Sequence, residues 1–241
     1  MKYQGLIIRL LTLFLCLLSI PAFSSVKVNN PHYNSKGFFD IHVCNWPEQP
    51  LFLMAVFSTL HYKDIKQIEV FSPEQRSVGV FNLNKFRVFK NKKKQTKKAF
   101  ITKFSLPKST SDGWYSARIT LNDNSTLMAK DYVMHKKLPI ADNPYPQNQA
   151  EDIAAPETLH WQAIKGAGFY QVFIKDTWQD NKLIYKSKLL KQNQLTLPAN
   201  LLQAGGLYSW RIHARDINED IKLGDFNHGS LSDRLSFSIK D

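Results

Sequence analysis

The sequence predicts an all-β chain, with two β-sandwich domains behind an N-terminal signal peptide. Three observations lead there. Apolar and polar residues alternate in short runs, as in Phe39–Val43, Ala117–Leu121 and Tyr208–Arg215, the period of a strand with one face buried. Turn residues separate these runs at sandwich spacing, and no long helical periodicity occurs beyond the first 24 residues. The 241 residues are 43% hydrophobic and 12% aromatic, an ordinary globular composition. At about 100–150 residues per domain, the length suits two cores.

Met1–Ser24 has the layout of a secretory signal. Lys2 and Arg9 supply the positive start, Leu10–Ile20 the apolar stretch, and Ala22 and Ser24 the small residues that a signal peptidase needs. Eleven residues from Leu10 to Ile20 are short for a membrane span, which takes about 20. Leu15 before Cys16 is too bulky for a lipoprotein cleavage site. The chain is therefore expected to be cleaved near Ser24 and to be periplasmic or secreted. Cys44 is then the one cysteine left, so core packing rather than an internal disulfide must hold the fold.

Residues 25–137 are expected to form the first domain, 138–155 a proline-rich linker, and 156–241 the second domain. The linker reading rests on Pro139, Pro144 and Pro146 among Asn and Gln residues with no regular period. Charge divides unevenly across it. The whole chain carries a formal +12, with 19 Lys and Arg against 8 Asp and Glu in residues 25–140, and 11 against 12 in residues 141–241. Nearly all the excess cation thus belongs to the first domain.

In the second domain, Trp161 follows Pro156 and Leu159, and Tyr170 opens the run Tyr170-Gln171-Val172-Phe173-Ile174. Leu202 precedes Gly205-Gly206, and Tyr208, Trp210, Ile212 and Ala214 alternate. This pattern resembles a fibronectin type III domain over most of residues 156–241. The resemblance implies a scaffold for binding, adhesion or spacing, with no shared catalytic residues. The first strand of such a domain, expected near 147–156, is poorly marked. In the first domain, Gly113 and Tyr115 open an alternating strand, and Asn122-Asp123-Asn124 looks like a hairpin turn into Thr126–Met134. Gly two residues before Tyr is similar to the tyrosine corner of immunoglobulin-like domains, although no cysteine pair accompanies it.

The strongest local signal is Lys85–Lys103, which holds nine cations and no acid. Apolar runs flank it, so a hairpin is expected, with Lys90, Lys92, Lys93, Lys94, Lys97 and Lys98 crowding its tip as an anion-binding group. Charges gathered within a Debye length of about 8 Å attract an anionic polymer. The expected partners are an anionic glycan, lipopolysaccharide or membrane surface, or an envelope protein. A specific nucleic acid is not expected, because no stacking platform is interleaved with the cations.

A second candidate is a docking face on the second domain. If Tyr208, Trp210, Ile212 and Ala214 point inward, Phe173, Lys175, Arg211, His213 and Arg215 share the outer face. Trp46 and Trp178 lie in loops, where they can stack on sugar rings or cover core. Catalytic motifs are missing: there is no H-E-x-x-H, G-x-S-x-G, C-x-x-C or phosphate-cradling glycine loop. No catalytic residue, metal site or cofactor is therefore expected, and the chain reads as a non-enzymatic binding or scaffold protein. The alternatives are a periplasmic assembly factor or chaperone and, less favoured, a thiol or metal enzyme built on Asp40, His42 and Cys44, which share one face of a strand.

Overall fold

The computed structural model describes residues 30–90, 95–106, 111–217 and 225–241, and the regular elements among them are all β-strands. The expected signal peptide lies outside the described residues. Among the described residues, no helix is long and apolar enough to cross a membrane.

The first half of the chain forms β1 (Tyr33–Asn34), β2 (Gly37–Asn45), β3 (Phe52–Thr59), β4 (Ile65–Phe71), β5 (Ser77–Val80), β6 (Phe86–Lys90), β7 (Thr96–Ser105), β8 (Gly113–Leu121) and β9 (Thr126–Val133). One layer runs β2-β3-β7-β6 and the other β5-β4-β8-β9. The chain changes layer after β3, β5 and β7, the Greek-key path of an immunoglobulin-like sandwich. Phe39, Ile41, Leu53, Phe57, Ile68, Tyr115 and Ile119 fill the space between the layers, each contributing about 1.5–3 kcal/mol by burial. The β8–β9 turn forms as the sequence predicts. Asn124 takes a left-handed φ of 64°, and the Asp123 carboxylate accepts hydrogen bonds from Ser125 N–H and O–H at 2.9 and 2.6 Å. Tyr115 is buried near the start of β8, its hydroxyl 3.1 Å from His135 Nε2.

The second half forms β10 (Ala150–Ile153), β11 (Thr158–His160), β12 (Phe169–Asp176), β13 (Lys182–Lys186), β14 (Gln194–Thr196), β15 (Leu207–Arg215), β16 (His228–Leu231) and β17 (Leu235–Ile239). One layer is β13-β12-β15, with β16 and β17 end to end along the other edge of β15. The antiparallel pair β11–β14 forms the facing layer. Tyr208, Trp210, Ile212 and Ala214 all point into the core, where Trp161, Tyr170 and Phe237 meet them. The poorly marked first strand is β10, four residues long and parallel to β17.

The interruption between β16 and β17 shapes the whole molecule. Ser232 closes it, accepting the Ile212 N–H on its hydroxyl at 2.9 Å. β10 takes the outer edge of β17, while the outer edge of β16 pairs in parallel with β2, His228 opposite Val43 and Ser230 opposite Asn45. One sheet therefore continues from the first sandwich into the second. Buried side chains fasten the connecting segment beside it. Asn45 Nδ2 donates to the Leu138 carbonyl at 2.8 Å, Ser230 Oγ to Pro139 at 2.6 Å, and His228 Nε2 to Met134 at 2.8 Å. Leu138 itself enters the second core, and residues 31–241 form one compact unit.

Candidate functional site

The lysine-rich segment forms the hairpin β6–β7, with Phe86 opposite Phe100 and Lys90 opposite Thr96. Lys92, Lys93 and Lys94 lie outside the described residues. β6 is the edge of its layer and all five of its residues are exposed, with Phe86, Val88 and Phe89 at 39%, 56% and 50%. Lys90 ends β6, and Lys97 and Lys98 lie within β7 opposite Phe89 and Val88. Lys98 Nζ sits 3.7 Å from the Phe86 ring centre and 4.5 Å from that of Tyr62. Lys103 rests over Trp46 and Phe52 at 4.3 and 4.5 Å. Such cation–π contacts are worth about 0.5–1 kcal/mol at exposed sites and fix where the charge is presented. Lys97 lines an open pocket of about 300 Å³ together with Tyr33, Lys36, Phe38, Leu60 and His61.

On the second sandwich, Phe173 pairs with Arg211 and Gln171 with His213 across β12–β15, so the five candidate docking residues share one face. Phe173 lies under Lys186 at 5.7 Å. The far end of that face is occupied from within the protein. His213 meets the edge of the Phe226 ring, centres 5.8 Å apart, and the Arg215 guanidinium lies 4.7 Å over it. Burial and the Arg215 charge push His213 down to about 3. Trp46 packs edge-on against Phe52, whereas Trp178, in the β12–β13 turn, is 72% exposed.

The third region is the joint. Asp40, His42 and Cys44 share the face of β2 opposite Phe39, Ile41 and Val43, as strand alternation requires, but both faces are buried. Phe226, just ahead of β16, packs on His42, their ring centres 3.9 Å apart. His42 Nδ1 lies 2.8 Å from Asp40 Oδ2. Burial opposes charge on the imidazole, yet Asp40 and Cys44 more than offset it and hold its pKa up to about 10. Burial lowers Arg215, with Asp40 acting the other way. Cys44, at 1% exposed, is sealed inside. Asp40 Oδ1 is buried without a hydrogen-bond partner among the described residues.

Three residues that strand patterns did not single out complete this cluster. His32, Asp131 and Asp225 are all buried and sit where β16 leaves the edge of β2. His32 Nδ1 lies 3.0 Å from the Phe39 carbonyl, and Asp131 Oδ2 accepts the Ile41 N–H at 2.7 Å. Burial, followed by the charge of Asp40, raises Asp131 well above the usual carboxylate range. Their sequence separations, from position 32 to 131 to 225, leave no spacing motif to find.

No protein-family model matches the chain, and no curated protein matches it. Similar solved structures include fibronectin type III and immunoglobulin domains. The FN1–FN3 domains of chicken CNTN1 share 11% identity at a TM-score of 0.36, over 84% of this chain and 66% of that one. Murine CEACAM1b shares 10% at 0.24, over 83% of this chain and 99% of its own. SGBP-B of the Bacteroides ovatus mixed-linkage glucan utilization locus, solved with a mixed-linkage heptasaccharide, shares 10% at 0.23, over 81% and 42%. The chain thus spans about two thirds of the CNTN1 fragment and less than half of SGBP-B.

Proposed function

We propose that this chain is an exported, non-catalytic binding protein whose first sandwich contacts an anionic surface or glycan through β6 and β7. The observation that carries the reading is the β6 edge, where exposed Phe86, Val88 and Phe89 are interspersed with Arg87 and Lys90 beside Lys97 and Lys98. Exposed apolar residues set among cations suit a lipid headgroup layer or a charged saccharide, which offer both a nonpolar face and anionic groups. Each cation near an anionic surface contributes about 1 kcal/mol. Replacing Lys90, Lys92, Lys93, Lys94, Lys97 and Lys98 with Ser should therefore weaken binding to lipopolysaccharide micelles or heparin by at least about tenfold and flatten its salt dependence. Binding equal to that of the parent chain would remove the reading.

One observation favours a second reading, an assembly factor that binds a partner strand. β6 pairs with β7 on one side only among the described residues, so its other edge offers backbone groups for strand addition. A protein partner captured from an envelope extract that survives a high-salt wash would favour this reading. Release of lipid or glycan by salt would favour the first.

A further inference from the structure

The buried group at the joint has the chemistry of a metal site. One donor atom each from His32, Asp131 and Asp225 lies within 4.8 Å of the others. His32 Nε2 stands 3.7 Å from Asp131 Oδ1 and 3.7 Å from Asp225 Oδ2. Donor atoms about 2.1 Å from a tetrahedral zinc ion stand roughly 3.4 Å apart, so these separations leave room for an ion between them. Two of the side chains are also oriented as metal ligands are. The Phe39 carbonyl can only accept, so His32 Nδ1 carries a proton toward it at 3.0 Å and, in the neutral ring, Nε2 carries the lone pair. Asp131 spends Oδ2 on the Ile41 N–H at 2.7 Å and turns Oδ1 toward the imidazole.

We propose that His32, Asp131 and Asp225 hold a divalent transition-metal ion of the zinc class, and that this ion ties the two sandwiches together. One imidazole and two carboxylates suit borderline zinc better than calcium, which takes six to eight oxygen ligands. The ligands come from three separate places: the turn before β1, strand β9 of the first sandwich, and the approach to β16 of the second.

The test uses the purified full chain, stripped with EDTA, reloaded with zinc sulfate and desalted. The chain should retain one zinc ion by elemental analysis and melt at a higher temperature in zinc than in EDTA. Asp225→Asn and, separately, His32→Gln should each weaken zinc binding by at least about tenfold and make the melting temperature independent of zinc. Far-UV circular dichroism in EDTA checks that both variants fold. If the parent chain retains no zinc and melts identically in zinc and EDTA, the proposal is overturned. Zinc retained equally by parent and Asp225→Asn would overturn it as well, by placing the metal elsewhere.

Discussion

Replacing Phe226 with Ala tests whether the joint is a packed core. The ring is 6% exposed and fills the space between His42, His213 and Arg215. It also lies against Gly229 so closely that a Cβ there would come within 2.9 Å of it. A buried phenylalanine removes roughly 200 Å² from water, an upper bound of about 5 kcal/mol at ~25 cal/mol per Å². Partial relaxation around the cavity brings the expected loss to about 3–4 kcal/mol. With a slope of about 2–3 kcal/mol per molar urea, the midpoint should fall by more than about 1 M. Tryptophan fluorescence and far-UV circular dichroism would follow unfolding, in EDTA so that no effect can act through Asp225. A loss below about 1 kcal/mol, the scale of a surface change, would refute the view that Phe226 is a core residue of the joint.

Two further outcomes follow from the geometry. The folded pKa of His42 is raised to about 10 from 6.5, so its stabilisation is complete below pH 6.5 and is lost as pH rises toward 10. The folded pKa of His213 is depressed to about 3, so the unfolded chain takes up that proton first and stability falls as pH drops below 6.5. Melting temperature should therefore peak near pH 6–7, and His213→Phe should flatten the acid limb but leave the alkaline one. An unchanged acid limb would dismiss the assigned role of His213. Separately, Gly168→Ala should cost about 1–3 kcal/mol in urea denaturation, because its Cβ would run into the Asp216 carbonyl, a backbone atom that cannot swing away. A neutral result would show that the 166–168 turn yields easily.

Strand alternation makes much of the fold readable. Tyr208, Trp210, Ile212 and Ala214 are buried in turn, because every second residue of a strand faces the same side of its sheet. The Asn-Asp-Asn turn is readable because left-handed backbone and local carboxylate bonds favour those residues. β2 is different. The alternation correctly places Asp40, His42 and Cys44 on one face, but the ring that packs on His42 there is Phe226, some 180 positions along the chain. No local period records such a contact. His32, Asp131 and Asp225 are hidden for the same reason: contacts within the first sandwich join His32 to Asp131, and the segment ahead of β16 brings Asp225 to them. The aromatic seats of Lys98 and Lys103 also depend on neighbours across strands and loops.

The divided strand β16–β17 also sets what can be inherited as a piece. Most tandem sandwiches meet end to end, so either one can be duplicated, lost or grafted alone. Here the second sandwich supplies the strand that completes the edge of β2 at Val43–Asn45 and the ring that packs on His42. Cutting the chain between the two would leave the first without that ring and with an unfinished edge. The smallest portable part of this protein is the pair, and a genetic event that moves either half must move both.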